Sequence, residues 1–307
     1  MKEKKEIIII IAAVIAISIA LSASSCEFGN SATENEDTAQ IIAFESRKEY
    51  IWQVHIIKAD GTGLQDVSNN DHDEGNVSWS PDGRKLTFVS NRNGYFQIYT
   101  MDMEDKKIVN ITDNDFDNFS SSWSPDGEKI AFESIREEDW QIYIMDADGS
   151  NQINISENDY LNWHPSWSPE GDKIAFESRR YMVEEDYGQR QIYVMGADGS
   201  KQINISDNDF IDRHPSWSPD GDKIAFTSYR DGRYQIYVMD ADGSNQENIS
   251  KNDHDDWHPS WSPDGDKIAF TSSREGHYQI FVMDSDGSNQ QNITNSDKDS
   301  CCPAWSP

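Results

Sequence analysis

The stretch HPSWSPDGDKIAFTS at residues 214–228 returns with the same letters at residues 258–272, 44 positions later. It belongs to a longer unit marked by one Trp, and successive marker residues are 44, 44, 50, 44 and 44 positions apart. The six markers are Trp79, Trp123, Trp167, Trp217, Trp261 and Trp305. A period in the low forties is typical of a propeller blade built from four strands.

Each unit has the residue types of four short strands. Around Trp261, a first strand at 259–261 is followed by Ser-Pro-Asp-Gly, which favours a tight turn because Pro presets φ and Gly tolerates positive φ. The runs 267–271 and 278–283 are apolar or alternating, as buried strands are. A second tight turn then leads to a short outer strand at 292–294. This pattern predicts an all-β fold.

The first and last units of the sequence are incomplete. The first apolar strand, which begins at Ile42, has no Trp strand before it, and Trp305 has no apolar strand after it. In a ring these two pieces complete one blade and leave no sheet edge open. We therefore predict a six-bladed β-propeller over residues 41–307, closed by pairing the C-terminal Trp strand with the N-terminal strands. A chain cut after Pro307 would show the same pattern with a different number of blades.

The repeated motif WSPDG-x-KIAF-x-S, followed by QIYVMDADGSNQ-x-NIS, resembles the TolB-type propeller repeat, a relative of the WD-repeat blade. The resemblance covers about residues 41–307, and motif, order and period agree in all six units. It implies a β-propeller fold. It also implies a binding function, since TolB itself is a six-bladed periplasmic protein that binds partner proteins.

The first 40 residues differ from the rest. Three Lys residues precede an apolar run at 7–21, and small residues precede Cys26. Fifteen apolar residues are too few for a spanning helix, which needs about 20, but they suit the core of a signal peptide. We expect residues 1–26 to be a signal peptide with a lipobox, which would make Cys26 the lipidated residue, or an uncleaved membrane anchor. The polar, acidic stretch 27–40 is expected to be a flexible tether.

The charge and the missing motifs narrow the function. A net charge of −30 excludes nucleic acid and an anionic bilayer surface as partners, so we expect membrane contact only through the N-terminal lipid or anchor. The sequence has no G-x-S-x-G, phosphate loop or H-E-x-x-H motif. We therefore expect an exported monomer in the cell envelope, periplasmic or extracellular, that binds a protein or glycan without catalysis or a cofactor.

Two charged columns recur on the face that carries the longer loops. One is an Asp eight residues before each Trp: Asp71, Asp115, Asp159, Asp209, Asp253 and Asp297. The other is a base just after each apolar strand: Lys48, Arg92, Arg136, Arg180, Arg230 and Arg274. Opposite charges on neighbouring loops predict a circular set of salt bridges.

A third column stands three residues before each Trp and reads Asn76, Ser120, His164, His214, His258 and Cys302. Imidazole and thiolate are transition-metal ligands, so His164, His214, His258 and Cys302 are candidate metal ligands. The resemblance adds an alternative function, a metal-dependent polysaccharide lyase, because oligogalacturonate lyases are similar propellers that carry a metal on histidines. The structural interpretation is that these side chains fix the blade junctions and lie too far apart to share one ion.

The stretch 179–191, RRYMVEEDYGQRQ, contains the six-residue insertion that breaks the regular spacing. Its side chains are of types favoured at interfaces. The predicted binding residues on this face are Arg179, Arg180, Tyr181, Met182, Tyr187, His164, His214 and His258. A tolerated loop insertion is the alternative. The adjacent Cys301 and Cys302 can form a vicinal disulfide or stay free thiols.

Overall fold

The computed structural model describes residues 40–136, 139–180, 189–230 and 232–307. The predicted signal peptide, Cys26 and most of the tether lie outside the described residues, as do Tyr181, Met182 and Tyr187. Among the described residues, no helix has the length and apolarity that a membrane crossing requires.

The described strands form six antiparallel sheets of four strands each, which we number as blades along the chain. Blade 1 has β1 (Ile41–Lys48), β2 (Ile51–Lys58), β3 (Gln65–Asp66) and the last strand, β24 (Ser300–Trp305). Blade 2 has β4 (Glu74–Trp79), β5 (Lys85–Ser90), β6 (Gln97–Asp102) and β7 (Ile108–Asn110). Blade 3 has β8 (Asn118–Trp123), β9 (Lys129–Arg136), β10 (Asp139–Asp146) and β11 (Ile153–Asn154).

The other three blades repeat this order. Blade 4 has β12 (Leu161–Trp167), β13 (Lys173–Arg179), β14 (Arg190–Gly196) and β15 (Ile203–Asn204). Blade 5 has β16 (Ile211–Trp217), β17 (Lys223–Tyr229), β18 (Tyr234–Asp240) and β19 (Glu247–Asn248). Blade 6 has β20 (Asp256–Trp261), β21 (Lys267–Ser272), β22 (Gln279–Asp284) and β23 (Gln291–Asn292).

The ring closes through the two ends of the described chain. Strand β24 pairs antiparallel with β1, and Trp305 stands opposite Ile42. The Trp305 indole Nε1 donates a hydrogen bond to the carbonyl oxygen of Ser260 in blade 6, at 2.9 Å. The six-bladed all-β propeller and its closure are therefore confirmed.

The core lies between neighbouring blades. The second strand of every blade is apolar on both faces because it is covered by the blade on either side. Its central residue is a fully buried Phe in each case: Phe44, Phe88, Phe132, Phe176, Phe226 and Phe270. Between blades 3 and 4, for example, Ala131 and Ile142 pack against Trp167 and Phe176. A unit of this kind cannot bury its apolar faces alone, which explains why the sequence repeats.

The turn between the third and fourth strands brings one blade close to the next. Gly149 in the turn of blade 3 has φ of +91°, and a Cβ atom there would lie 1.9 Å from the carbonyl oxygen of Ile111 in blade 2. Only Gly allows this approach.

The base column is held by partners other than the predicted Asp column. The Arg230 guanidinium donates to Ser228 Oγ at 2.7 Å and to Gln246 Oε1 at 2.5 Å. Gln246 donates in turn to the carbonyl oxygen of Ser206 in the preceding blade, at 2.9 Å. The guanidinium also lies 4.5 Å from the ring centroid of Tyr237. Arg136, Arg180 and Arg274 form the same bridge, so four members of the base column fasten their own blade to the one before it.

The predicted salt bridges to the Asp column are wrong. The acidic partners of the base column among the described residues are Glu74, Asp212 and Asp256, which pair with Arg92, Arg230 and Arg274. These carboxylates stand five residues before each Trp and are buried, whereas the Asp residues eight before each Trp are exposed. A buried carboxylate beside an Arg keeps its charge compensated, while an exposed Asp is solvated by water.

Candidate binding site at the central channel

The third column interrupts the inner strand of every blade. Its six residues have φ between +48° and +57°, in the left-handed region, and the strand register shifts at each of them. A bulge of this kind re-aims a side chain. As a result, residues from all six blades line one central cavity of about 140 Å³: Asn76, Ser120, His164, His214, His258 and Cys302.

At four of the six bulges, those at Asn76, His164, His258 and Cys302, a side chain of the preceding blade accepts a hydrogen bond from the backbone amide. The His164 amide donates to Glu133 Oε2 at 2.7 Å, and the His258 amide donates to Thr227 Oγ1 at 3.2 Å. The Cys302 amide donates to Thr271 Oγ1 at 3.0 Å. The accepting residues follow the buried Phe of each second strand directly. The strained φ of the third column is thus maintained by hydrogen bonds between blades.

Three imidazoles of the third column meet at the axis. The ring centroids of His164 and His214 are 4.5 Å apart, and those of His214 and His258 are 3.9 Å apart. The donor atoms of His164 and His214 lie within 4.8 Å of each other, so the interpretation that column positions lie too far apart to share one ion does not hold for this pair. The reason is the bulge, which tilts the side chains inward from consecutive blades.

Glu177 completes this histidine cluster and was missed from the sequence. It is fully buried; one carboxylate oxygen is paired with the Arg190 guanidinium, and Oε2 lies 3.4 Å from His164 Nδ1. Candidate ligand atoms of His164, Glu177 and His214 all lie within 4.8 Å of one another. The sequence indication for Glu177 was an acidic residue directly after the apolar run Ile-Ala-Phe in the second strand, KIAFES.

Burial and charge set the protonation of this cluster. Burial raises the pKa of Glu177, but the neighbouring His164 and Arg190 outweigh it and hold the pKa below the ordinary value. Burial and the adjacent His258 lower the pKa of His214 well below its ordinary value, so this imidazole is neutral at pH 7. Burial lowers the pKa of His164, but the carboxylates of Glu133 and Glu177 raise it by more.

Cys302 belongs to a second group of candidate ligands, with Cys301 and Glu45, that contains none of the histidines although Cys302 lines the same cavity. The Sγ atoms of Cys301 and Cys302 are 3.3 Å apart as free thiols, and Cys301 Sγ lies 3.7 Å from Glu45 Oε2. Burial raises the pKa of Glu45 to about 7, although the Asn76 amide and the two thiols stabilise its charged form. Of the four predicted metal candidates, His164 and His214 belong to one group, Cys302 to the other and His258 to neither.

Aromatic and Arg side chains from neighbouring blades contact one another just outside the buried strands, in a group that we call the rim. The rim has two sets of residues. The first set is the residue before the Gln of each third strand. The second set is the residue four positions before the marker Trp in blades 3 to 6. Its members are Trp52, Phe96, Trp140, Arg190, Tyr234, Tyr278, Phe119, Trp163, Arg213 and Trp257. Tyr234 lies 5.7 Å from Trp257, and Trp257 lies 5.4 Å from Tyr278, between ring centroids. The rim was detectable in the sequence, because aromatic residues recur in the repeats at positions just outside the buried strands.

The rim leads into a cavity of about 330 Å³ next to the histidines. Its walls include Trp52, Trp257, Tyr278 and Arg213, and His214 and His258 form its inner end. The Arg213 guanidinium lies 5.6 Å from the Tyr234 ring centroid, and its buried Nε has no hydrogen-bond partner among the described residues. Arg190, in contrast, is already paired with Glu177. Arg213 is thus the rim cation that remains available to an acidic ligand group.

Of the predicted binding residues in the stretch 179–191, the structure describes Arg179 and Arg180, and these two differ in role. Arg180 donates to Gln202 Oε1 at 2.7 Å and lies 4.0 Å from the Tyr193 ring centroid, so it has the fastening role of the base column. Arg179 ends β13 and has a buried Nε atom.

Comparison with known proteins agrees with this architecture. The family described as "TolB beta propeller domain" (PD40) matches residues 31–184 and 177–307. TolB from Acinetobacter baumannii superposes with a TM-score of 0.75 at 22% identity, over 87% of this chain and 67% of that one. Putative TolB from Agrobacterium tumefaciens gives 0.69 at 21% identity, over 88% and 99%.

A third similar structure has a different activity. Oligogalacturonate lyase in complex with manganese superposes with a TM-score of 0.60 at 15% identity, over 84% of this chain and 74% of that one. At these identities the structural likenesses concern the fold alone. Comparison with curated proteins gives no match.

Proposed function

Because the chain belongs to the TolB beta-propeller family, we propose that it is an exported, membrane-tethered scaffold that binds a partner protein at the rim of its channel without catalysis. One observation carries this proposal. Trp52, Trp257 and Tyr278 surround a cavity whose only described cation without an ion pair is Arg213. Trp, Tyr and Arg are the residue types that dominate the binding energy of protein interfaces.

The cavity indicates what the partner presents. A volume of about 330 Å³ accommodates one or two side chains of an inserted loop. The aromatic walls favour an apolar stem, and Arg213 favours a carboxylate at its end. We therefore propose that the partner inserts an acidic side chain or a chain terminus into this cavity.

The breadth of the rim favours a protein over a glycan. Tyr278 and Tyr229 are 42% and 41% exposed, and Tyr229 contacts Tyr234 at 4.9 Å between ring centroids. The aromatic surface therefore continues from the cavity onto the outer face, over more area than one sugar residue covers. A broad contact with a central cavity is typical of protein interfaces.

Export and tethering rest on residues 1–40. The Lys residues, the apolar run 7–21 and Cys26 support a lipidated lipoprotein or an anchor, and the tether 27–40 would hold the ring near the membrane. Metabolic labelling with a palmitate analogue tests this, because Cys26→Ser should abolish incorporation. Unchanged labelling in the variant would contradict lipidation at Cys26.

The binding proposal is tested by crosslinking followed by affinity measurement. A photo-crosslinking residue at position 278 of the full chain should capture a specific protein in cells of the source organism. With that protein purified, Trp257→Ala and Arg213→Ala should each weaken the affinity by about 30-fold, the effect of losing a hot-spot residue. Ile203→Ala, an exposed residue of the outer strand β15, is the control and should leave the affinity unchanged.

Three results would overturn the proposal. Equal affinity of the rim variants and the control would show that the partner binds elsewhere. Binding of a purified polysaccharide, with the same sensitivity to Trp257→Ala, would identify a glycan-binding protein. Release of unsaturated products from an acidic polysaccharide would establish the lyase alternative.

A further inference from the structure

We propose that the inner end of the channel binds one divalent transition-metal ion, with His164, His214 and Glu177 as its protein ligands. This proposal does not require a partner, although His214 also lines the cavity below the rim. It differs from the sequence prediction in its ligands, because Glu177 enters and Cys302 leaves.

The donor set suits a borderline cation. Two imidazole nitrogens and one carboxylate oxygen are ligands for Zn²⁺, Mn²⁺ or Fe²⁺. With metal–ligand bonds of about 2.0–2.2 Å, neighbouring donor atoms stand roughly 3–3.5 Å apart. His164 Nδ1 and Glu177 Oε2 already lie 3.4 Å apart, and all three donors lie within 4.8 Å of one another. Rotamer adjustments that move the donor atoms by about 1 Å would bring all three to the separations of a metal site.

The polar atoms of this cluster lack other partners. Glu177 is 0% exposed, and neither its Oε2 nor His164 Nδ1 has a hydrogen-bond partner in the described structure. A buried polar atom without a partner costs about 1–3 kcal/mol, and more when it is charged. The two atoms face only each other, as an ion pair at 3.4 Å, so a metal ion between them would take the place of the shared proton and bind both.

Outer contacts orient the ligands. Arg190 holds the other oxygen of Glu177, which leaves Oε2 facing His164. His214 Nδ1 lies 3.3 Å from Thr227 Oγ1, so Nε2 remains as the nitrogen for the metal. In metal sites, the nitrogen or oxygen of a ligand side chain that does not bind the ion is usually held by such an outer contact.

Nearby charges act in both directions. Arg190 opposes a cation, but it is neutralised by Glu177 itself. The buried Glu133 accepts from the His164 amide at 2.7 Å and is a second acidic group near that imidazole, whereas Arg213 is a further positive charge near Glu177 and His214. Three protein ligands also leave coordination positions open toward the channel cavity of about 140 Å³, through which the ion can enter.

The test is metal binding by the purified full chain after treatment with a chelator. Calorimetric titration with Zn²⁺ should give one tight site per chain. His214→Ala should weaken that site by at least about 100-fold, since the loss of an outer contact alone weakens metal sites 10–100-fold. His254→Ala, which removes an exposed imidazole from a loop of blade 5, is the matched control and should keep the site.

A second pair of measurements separates this site from the thiol cluster. The double variant Cys301→Ser and Cys302→Ser should retain the Zn²⁺ site. The wild-type chain loaded with Co²⁺ should show visible absorption without the thiolate charge-transfer band, and this holds even if His214→Ala fails to fold. Circular dichroism establishes which variants are folded.

Several outcomes would overturn the proposal. One is the absence of a stoichiometric site in the wild-type chain. Others are an unchanged affinity in folded His214→Ala, equal loss in His254→Ala, or a Co²⁺ spectrum with thiolate absorption.

Discussion

The imidazole ring of His214 packs against that of His258 with centroids 3.9 Å apart, although 44 residues separate them in the sequence. Both occupy the same position in consecutive inner strands, with φ of +52°. The bulge at this position turns both side chains toward the axis. A column that is spread along the whole sequence thereby becomes one cluster.

Arg230→Ala should destabilise the propeller by about 2 kcal/mol, because Arg230 is hydrogen-bonded to Ser228 and Gln246 and packs over Tyr237. Thermal unfolding measures the effect as a lower Tm. Arg233→Ala, which changes an exposed Arg three residues away, is the control and should have no effect. Equal melting of the two variants would argue against the fastening role of the base column.

Gly149→Ala should be far more destabilising than Gly94→Ala. Both residues have positive φ, +91° and +99°, so the backbone penalty is similar. A Cβ atom at Gly149 would lie 1.9 Å from the Ile111 carbonyl oxygen, whereas a Cβ at Gly94 meets nothing within 4 Å. We expect a difference of at least about 2 kcal/mol in the free energy of unfolding, measured with urea. Equal losses would mean that the blades can move apart at this turn.

Glu45→Gln should change the pH dependence of stability. Because the pKa of Glu45 is about 7 in the folded protein and 4.5 ordinarily, the folded state binds the extra proton between these values. Its contribution to stability is therefore full below pH 4.5, is lost as the pH rises toward 7, and changes by about 3 kcal/mol in total.

The variant should consequently gain stability relative to the wild-type chain on going from pH 5 to pH 8. Urea unfolding at the two pH values measures this, and Glu104→Gln, an exposed position, serves as the control. A difference between variant and wild type that is the same at both pH values would contradict the raised pKa.

Cys301 and Cys302 should react slowly with iodoacetamide at pH 7.5. The neighbouring thiol lowers the pKa of Cys301, but burial and the Glu45 carboxylate raise it by more. The hydrogen bond that the Cys302 thiol donates to Cys301, together with burial, raises the pKa of Cys302 well above its ordinary value. Since the thiolate is the reactive form, both sites should be alkylated slowly. Mass spectrometry resolves them from Cys26, and the urea-unfolded chain gives the reference rate. Folded-state labelling as fast as this reference would contradict the prediction.

The sequence predicted the blades well because turns and buried strands are local features. Ser-Pro-Asp-Gly and the apolar run after it mark one hairpin wherever they occur, and the unpaired strand types at the two ends predicted the closure between β1 and β24. The third column was also identified by spacing alone.

The spacing of residues in the sequence did not reveal which side chains the base column and the third column contact. The Arg230 side chain was paired with the wrong Asp column, because the exposed and the buried acidic positions are only three residues apart. Glu177 and the rim were missed for a related reason. The cluster around Glu177 and the rim each combine residues from different blades, and the repeat pattern treats the blades as equivalent.

By itself, therefore, the sequence determined the repeat, the strand order and the number of blades, since these follow from local propensity and from the need of each unit for identical neighbours. Only the tertiary structure decided that His164, His214 and Glu177 meet at one point and that aromatic side chains from different blades line one cavity beside the histidines. The physical reason is that ring closure brings equivalent positions to a common axis, and the left-handed bulge determines how far inward their side chains reach.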